Sequence, residues 1–538
     1  MLRLRQADGS GAAMWSPVGR ADPAWGTAGV SAIYGGGSDE QNESSLLLAD
    51  GSLLVGVAIP AGGNELDIAL VKYRPDGTID TSYHGDGVSQ VVDLPGDWEG
   101  LKDLLLRPTG QVVAIAGNDP GGGNIVTPVQ FTAAGNLDAT FGTGGIGQGI
   151  GIAGENSPGK ALLLADGRIV VGSAGSTTCC SDYRANIIRF EADGDADPTF
   201  GGGDGVSPTV NLPGGQAEPP VPLLQADGSY LLVTTVGDNG GPTDVAVIKF
   251  TSVGNLDTSW GGGDGVSDIV DLNGGDEDGL DAIQLASGAV VVAASADGGA
   301  TGSDIVLLRL LPSGVLDTTF GGGDGIGPLV DVAGELDYPT GLLQLPDGSF
   351  AVLVNAVDGG DTDVTVVRFA TDGTPITSYG TNGVAAPIDL GGTDDEAAPD
   401  LWLRPDGHLV ASGMADRASV DVAAFQFDAV DVAQYGTGVD DWDTAAPNDD
   451  TFGGCLHSIV GGTTVADWTA TGACTTVDTD PWRAIDADGT GPTAKVAHTT
   501  AATTTAAVNL RFGFRAATSQ RPGSYLAPVY FEVVAPNA

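Results

Sequence analysis

Basic side chains are scarce in this 538-residue chain: 21 Lys and Arg stand against 70 Asp and Glu, a formal net charge of −49. A surface of that sign repels nucleic acid and anionic lipid, so neither is an expected partner. Histidine is rarer still, and His84, His408, His457 and His498 share no motif. The chain has no G-x-S-x-G elbow and no H-E-x-x-H helix, and its Gly-rich strings lack the helix that a phosphate cradle needs. Aspartate is so abundant that no carboxylate pair stands out as a glycosidase pair would. The expected protein is therefore not an enzyme. No run approaches the roughly 18 apolar residues of a membrane span. Met1–Arg5 lacks the apolar core of a signal peptide and reads as the middle of a repeat, as though the native start lay further upstream.

The four cysteines, Cys179, Cys180, Cys455 and Cys474, match no zinc spacing. Cys455 and Cys474 sit 19 residues apart in Gly/Thr-rich text and read as a disulfide loop of an oxidising compartment. Cys179 and Cys180 are either a vicinal bridge or a pair of loop thiols.

What is present points to β structure. Glycine numbers 86 and proline 30, while an apolar content of 41% is too high for a disordered chain. Short apolar runs separated by Gly-rich turns are the signature of an all-β fold. An aromatic residue, usually followed by Gly, recurs at Trp25, Tyr83, Phe141, Phe200, Trp260, Phe320 and Tyr379, at steps of 58 to 60 residues. A turn glycine recurs with it, at Gly51, Gly110, Gly167, Gly228, Gly288, Gly348 and Gly407, each between two apolar runs. Asp-Gly between such runs is a strong hairpin signal. A third run and a short fourth run follow, so each unit is expected to be a four-stranded antiparallel sheet. Such a sheet, apolar on both faces, is stable only when its siblings stack around an axis, as in a propeller. A linear β-solenoid is the rival, although solenoid repeats are usually shorter and their strands parallel.

The units, for example Pro75-Asp76-Gly77-Thr78-Ile79-Asp80-Thr81-Ser82-Tyr83, resemble the delta-60 repeat family over roughly residues 1–439. The resemblance implies propeller-like modules in bacterial exported and surface proteins and lends no catalytic residue. The expectation is a seven-bladed β-propeller over residues 1–439, with eight blades as the alternative count. A small β-sandwich-like domain would follow over 440–538. The end-of-unit text near Leu2–Leu4, Trp25-Gly26 and Gly29-Val30 could close the ring on the last unit.

The recurring Asp80, Asp138, Asp197, Asp257 and Asp317, with the aromatics Tyr83, Phe141, Phe200, Trp260 and Phe320, invite two readings. A ring of metal ligands is one. The plainer one is an Asx-turn, helped by a cation eight residues earlier at Lys72, Arg189, Lys249 or Arg309. Equivalent copies in every unit are what scaffold residues supply, so these are read as structural. No cofactor is expected, but the Asp/Gly loops 237–244, 297–304 and 358–363 carry hard oxygen donors suited to Ca²⁺, or plain turns. In the last hundred residues, Val508–Arg515 alternates as a strand, and Tyr525–Val534 is expected to return beside it. Together these features describe a non-catalytic, secreted or cell-surface binding or scaffold protein, its protein or carbohydrate ligand unidentified. The alternatives are a self-assembling surface-layer or filament subunit and an extracellular hydrolase.

Overall fold

The computed structural model describes residues 2–6, 26, 30–32, 34, 41–62, 65–96, 99–121, 123–151, 155–176, 183–210, 212, 215–217, 220–238, 243–272, 281–299, 302–388, 396–404, 408–416, 420–428, 451–460, 463–464, 483–484, 497–498, 507–515 and 529–533. Two compact units are present, Gly19–Phe427 and Met1–Val18 with Asp428–Ala538.

In the larger unit each hairpin predicted around a turn glycine becomes the first two strands of an antiparallel sheet. Sheet 1 is Gln41–Leu47, Leu53–Gly62 and Glu65–Tyr73, and sheet 2 is Glu99–Leu106, Val112–Asn118 and Ile125–Phe131. Sheet 3 is Glu155–Leu163, Ile169–Ser176 and Tyr183–Phe190. Sheet 4 adds the short strand Gly215–Ala217 to Val221–Leu224, Tyr230–Asp238 and Thr243–Phe250. Sheet 5 is Asp281–Gln284, Val290–Asp297 and Ser303–Leu310. Sheet 6 is Asp337–Gln344, Phe350–Asp358 and Asp361–Phe369, and sheet 7 is Glu396–Leu403, His408–Asp416 and Val420–Asp428. First strands of successive sheets touch one another from sheet 1 to sheet 7, and that of sheet 7 touches that of sheet 1. This is a propeller, with the first strands innermost.

The middle strands show why the sheets need each other. Val112–Asn118 is buried along its whole length. Side chains alternate between the faces of a strand, so Val112 and Ala114 pack with Leu54 and Leu70 of sheet 1. Val113 and Ile115 pack with Ile169 and Val171 of sheet 3. Sheet 1 itself packs through Leu53, Val55 and Val57 against Val410 and Val422 of sheet 7.

The fourth strand differs from expectation. After each aromatic motif the chain returns as an edge held by isolated bridges, such as Val71 to Val88 and Ile68 to Val92, rather than by a continuous ladder. A serine side chain interrupts the ladder there: the Leu70 N–H donates to Ser89 Oγ at 2.9 Å, and Ser89 Oγ donates to the Gln90 carbonyl at 3.0 Å. Ser207 and Ser267 accept in the same way from Ile187 and Val247. Ser31 reproduces this device on sheet 7, accepting from the Ala424 N–H at 2.9 Å, while Tyr34 bridges to Val422. Ser31 and Tyr34 thus supply the last sheet's edge from the other end of the chain.

In the smaller unit, Thr451–Val460 pairs antiparallel with Ala507–Arg515 and with Arg483–Ala484. The strand expected over 508–515 is there, but its partner is not 525–534. Val529–Val533 pairs instead with Leu2–Gln6, which therefore does not join the last repeat of the ring. Alternation identifies a strand without naming its neighbour. Cys455 lies on Thr451–Val460 opposite Arg511; Cys474, and with it the anticipated disulfide, falls outside the described residues.

Candidate functional site

Two sets of ionisable residues occupy equivalent positions in the repeats, and they behave differently. The first is the Asp of the aromatic motif. Asp197 Oδ1 accepts from the Thr199 N–H at 2.7 Å and from its hydroxyl at 2.6 Å, forming the Asx-turn. Its Oδ2 takes the buried Arg189 Nε at 2.6 Å. Burial works to raise the Asp197 pKa, but the Thr199 hydroxyl and N–H and then Arg189 outweigh it and hold the group at about 2. The Arg189 guanidinium also lies 4.3 Å from the centre of the Phe200 ring and donates to the Ser252 carbonyl of sheet 4 at 2.7 Å.

Copies of this arrangement stand in sheets 1, 2, 4 and 5. Asp80 meets Lys72 at 3.5 Å, Asp257 meets Lys249 at 3.5 Å, and Asp317 meets Arg309 at 2.8 Å. Asp138 has Gln130 Nε2 at 2.9 Å in place of a cation. The aromatics Tyr83, Phe141, Phe200, Trp260 and Phe320 lie against a second glycine of the following sheet, in the turn after its third strand: Gly135, Gly194, Gly254, Gly314 and Gly373 in that order. A Cβ on Gly254 would stand 2.6 Å from the Phe200 ring, and one on Gly194 2.4 Å from the Phe141 ring. Glycine there is a packing requirement between neighbouring sheets. The five motifs sit one to a sheet and form no common site.

The second set lies on the innermost strands, seven residues before each turn glycine. Its members are Ser44, Asp103, Lys160, Val221, Asp281, Gly341 and Asp400, five residue types over seven sheets. Asp103 Oδ2 accepts the Ala161 N–H of sheet 3 at 2.6 Å. Asp281 Oδ2 accepts the Leu342 N–H of sheet 6 at 2.7 Å, and Asp400 Oδ2 the Ser45 N–H of sheet 1 at 2.6 Å. Each carboxylate therefore ties its own sheet to the next through an orphan backbone donor of the inner strand. Lys160 pairs directly with Asp400 and interacts electrostatically with Asp103 and Asp281 as well. Four charged groups converge where the repeat symmetry breaks.

The electrostatics follow from depth. Burial raises Asp103 to about 6, against the lowering effect of Lys160 and with the repulsion of Asp400 added. Asp281 is raised to about 6, again by burial first. Burial works to lower Lys160, but Asp400, Asp103 and Asp281 together outweigh it and push the ammonium up. The site is surrounded by protein yet not sealed: 28% of the Lys160 side chain and 10% of the Asp400 side chain remain accessible, consistent with a channel wall. Sequence reading missed this cluster because its members share no motif and its three aspartates recur in only some of the sheets. Counting back seven positions from each turn glycine was the signal that would have found it.

A third group, Asp304, Asp331 and Asp337, brings carboxylate oxygens within 4.8 Å of one another at one end of sheet 5. Only Asp304 belongs to a loop singled out for Ca²⁺. In those loops Asp297 Oδ1 accepts the Gly299 N–H at 2.7 Å, and Asp358 pairs with Asp361 across a two-glycine hairpin, so both serve turns. Residues 239–242 of the remaining loop lie outside the described residues. A cleft of about 450 Å³ between the outer edges of sheets 3 and 4, lined by Val210, Leu256 and Ile269, shares no residue with these clusters.

The fold and repeat define an all-β propeller protein whose units resemble the delta-60 repeat. Residues 48–83, 164–200, 225–259 and 285–320 match the family model described as "Domain of unknown function (DUF5122) beta-propeller". No curated protein matches the chain. Among solved structures it is similar to a protein of unknown function from Dyadobacter fermentans DSM 18053, 11% identical with a TM-score of 0.42, covering 74% of this chain and 98% of that one. A polysaccharide lyase, an ulvan lyase, is also similar, 11% identical with a TM-score of 0.45, over 74% of this chain and 96% of that one. A glucose dehydrogenase is 12% identical with a TM-score of 0.31, over 60% and 95%. At these identities the likeness is one of fold.

Proposed function

We propose that this chain is a non-catalytic binding or scaffold protein of the extracellular space or cell surface, which presents its loops on a rigid propeller to a protein or carbohydrate. One observation carries the reading. The charged groups that break the repeat symmetry, Asp103, Asp281 and Asp400, are each engaged by a backbone N–H of the neighbouring sheet and share the Lys160 ammonium. They serve the ring itself, which leaves ligand recognition to the loops that vary from unit to unit. The net charge of −49 suits a solvated exported surface and disfavours anionic ligands.

A second reading, an extracellular hydrolase, is favoured by Asp103 and Asp281, two carboxyl groups held at about 6 on the innermost strands. One experiment separates the two. Full-length protein is applied to a glycan array and incubated with the same glycans while released products are measured. Saturable binding without products is the expected outcome. Turnover that disappears in Lys160→Met or Asp281→Asn would replace the scaffold reading with the hydrolase.

A further inference from the structure

The carboxylates of Asp304, Asp331 and Asp337 converge at the edge of sheet 5, apart from both the inner charges and the aromatic motif. Asp304 is the second residue of the strand Ser303–Leu310, and Asp337 opens the strand Asp337–Gln344. The residues before them, Ser303 and Leu336, pair in parallel, an exception among otherwise antiparallel bridges, and this sets the two buried carboxylates side by side. Asp331 follows Val330, which bridges to Ile305, so it stands beside Asp304 across the sheet edge. Equivalent pairs recur in sheet 1, at Asp67 with Asp93, and in sheet 4, at Asp244 with Asp271. Among the described residues only the sheet 5 pair gains a third carboxylate close enough to share one ligand.

Asp337 is the second and independent observation. It is fully buried, at 0% exposure. Its Oδ2 accepts the Val332 N–H at 2.8 Å, whereas its Oδ1 is buried with no hydrogen-bond partner. A buried carboxylate oxygen left without a donor is costly unless something positive meets it. The nearest charges are two more carboxylates: burial first, then the repulsion of Asp331 and Asp304, raises Asp337 to about 7 against the lowering effect of the Val332 and Ala333 N–H groups. A divalent cation answers all three features together. It supplies the missing partner, cancels the mutual repulsion and replaces lost hydration. The donors are hard oxygens, and their mutual spread of at most 4.8 Å equals two Ca–O bonds of about 2.4 Å laid end to end.

We propose that Asp304, Asp331 and Asp337 form a Ca²⁺ site that pins the segment linking sheets 5 and 6 to the edge of sheet 5. Asp331 is exposed and provides the route of entry, while Asp304 and Asp337 form the buried floor. Asp331 Oδ1 already accepts the Gly334 N–H at 2.8 Å, which holds the rim carboxylate in place.

The test uses the full-length chain, stripped with a chelator and titrated with CaCl₂ by calorimetry and thermal melting. The expected result is a saturable binding step and a higher melting temperature. Both should be lost, or the affinity weakened at least about tenfold, in Asp337→Asn. Asp331→Asn changes an exposed residue, tolerates any sensitivity of the buried floor, and should weaken binding in the same direction. Absence of a saturable step in the wild-type chain overturns the proposal. So does a step that persists unchanged in both variants, since Ca²⁺ would then be bound elsewhere on the acidic surface.

Discussion

The outer motif and the inner ring of this propeller are built on the same repeat and teach opposite lessons. On the outside, Asp197, Arg189 and Phe200 recur in near-equivalent form as Asp317, Arg309 and Phe320, or with Lys as Asp80, Lys72 and Tyr83. On the inside, one structural position is Ser44, Asp103, Lys160, Val221, Asp281, Gly341 and Asp400 in turn. A motif that sheets 1 to 5 repeat answers a need those sheets share, here the seating of an aromatic on a glycine of the next sheet. A position that changes from sheet to sheet must be balanced by the ring as a whole. One lysine serves three aspartates that way.

The comparison can be broken most forcefully at the outer motif. Phe200→Ala removes a fully buried ring from between sheets 3 and 4 and leaves Arg189 without its stacking partner. It should destabilise the larger unit by about 4 kcal/mol in denaturant unfolding. A loss below about 1 kcal/mol would mean that the sheets cohere without the motif.

At the inner ring, Lys160→Met leaves three carboxylates without their cation and should cost about 3 kcal/mol at pH 7. Asp281→Asn in that background should restore part of the loss, and equal stability of the two variants would argue against charge balance. The ring also sets a pH dependence. Asp103 and Asp281 have folded pKa values above the ordinary carboxylate value, so the unfolded chain ionises first and stability grows as pH falls from about 7 towards 5. The outer motif has the opposite sign. Asp197, held at about 2, stabilises fully above the ordinary value, and that contribution is lost as pH falls from about 4 through 2. Melting temperatures in chelator should therefore peak near pH 5, and a monotonic decline from pH 7 to 4 would contradict the inner-ring account.

The smallest effect concerns a departure within the outer motif. His84 follows Tyr83 where other sheets have glycine, and it carries the left-handed φ of 50° that Gly201 and Gly261 adopt at 64° and 63°. Its side chain is exposed, so His84→Gly removes backbone strain at little cost in burial. It should raise stability by about 1 kcal/mol, read as a small upward shift in the unfolding midpoint.

Legibility in the sequence divides along the same line. The hairpins, the Asx-turns and the pairing of Lys72, Arg189, Lys249 and Arg309 with an Asp eight residues later were readable because each is local and repeated. The serine that interrupts the edge strand was visible as Gly-Val-Ser text, but its role needs the N–H of a strand some twenty residues back. Asp103, Lys160, Asp281 and Asp400 were not legible as a group, since their proximity exists only once the ring closes. Asp331 and Asp337 escaped for a related reason: the like charges that make them notable come from Asp304, across a bridge that no local signal predicts.

The account depends most on the inner charges acting as one unit, and a double-mutant cycle between Lys160→Met and Asp400→Asn measures that directly. Denaturant unfolding at pH 7 should give a coupling energy of about 2 kcal/mol, the double variant being more stable than the sum of the single losses. Additive losses, within about 0.5 kcal/mol, would show that Lys160 and Asp400 act independently and would contradict the inner-ring account.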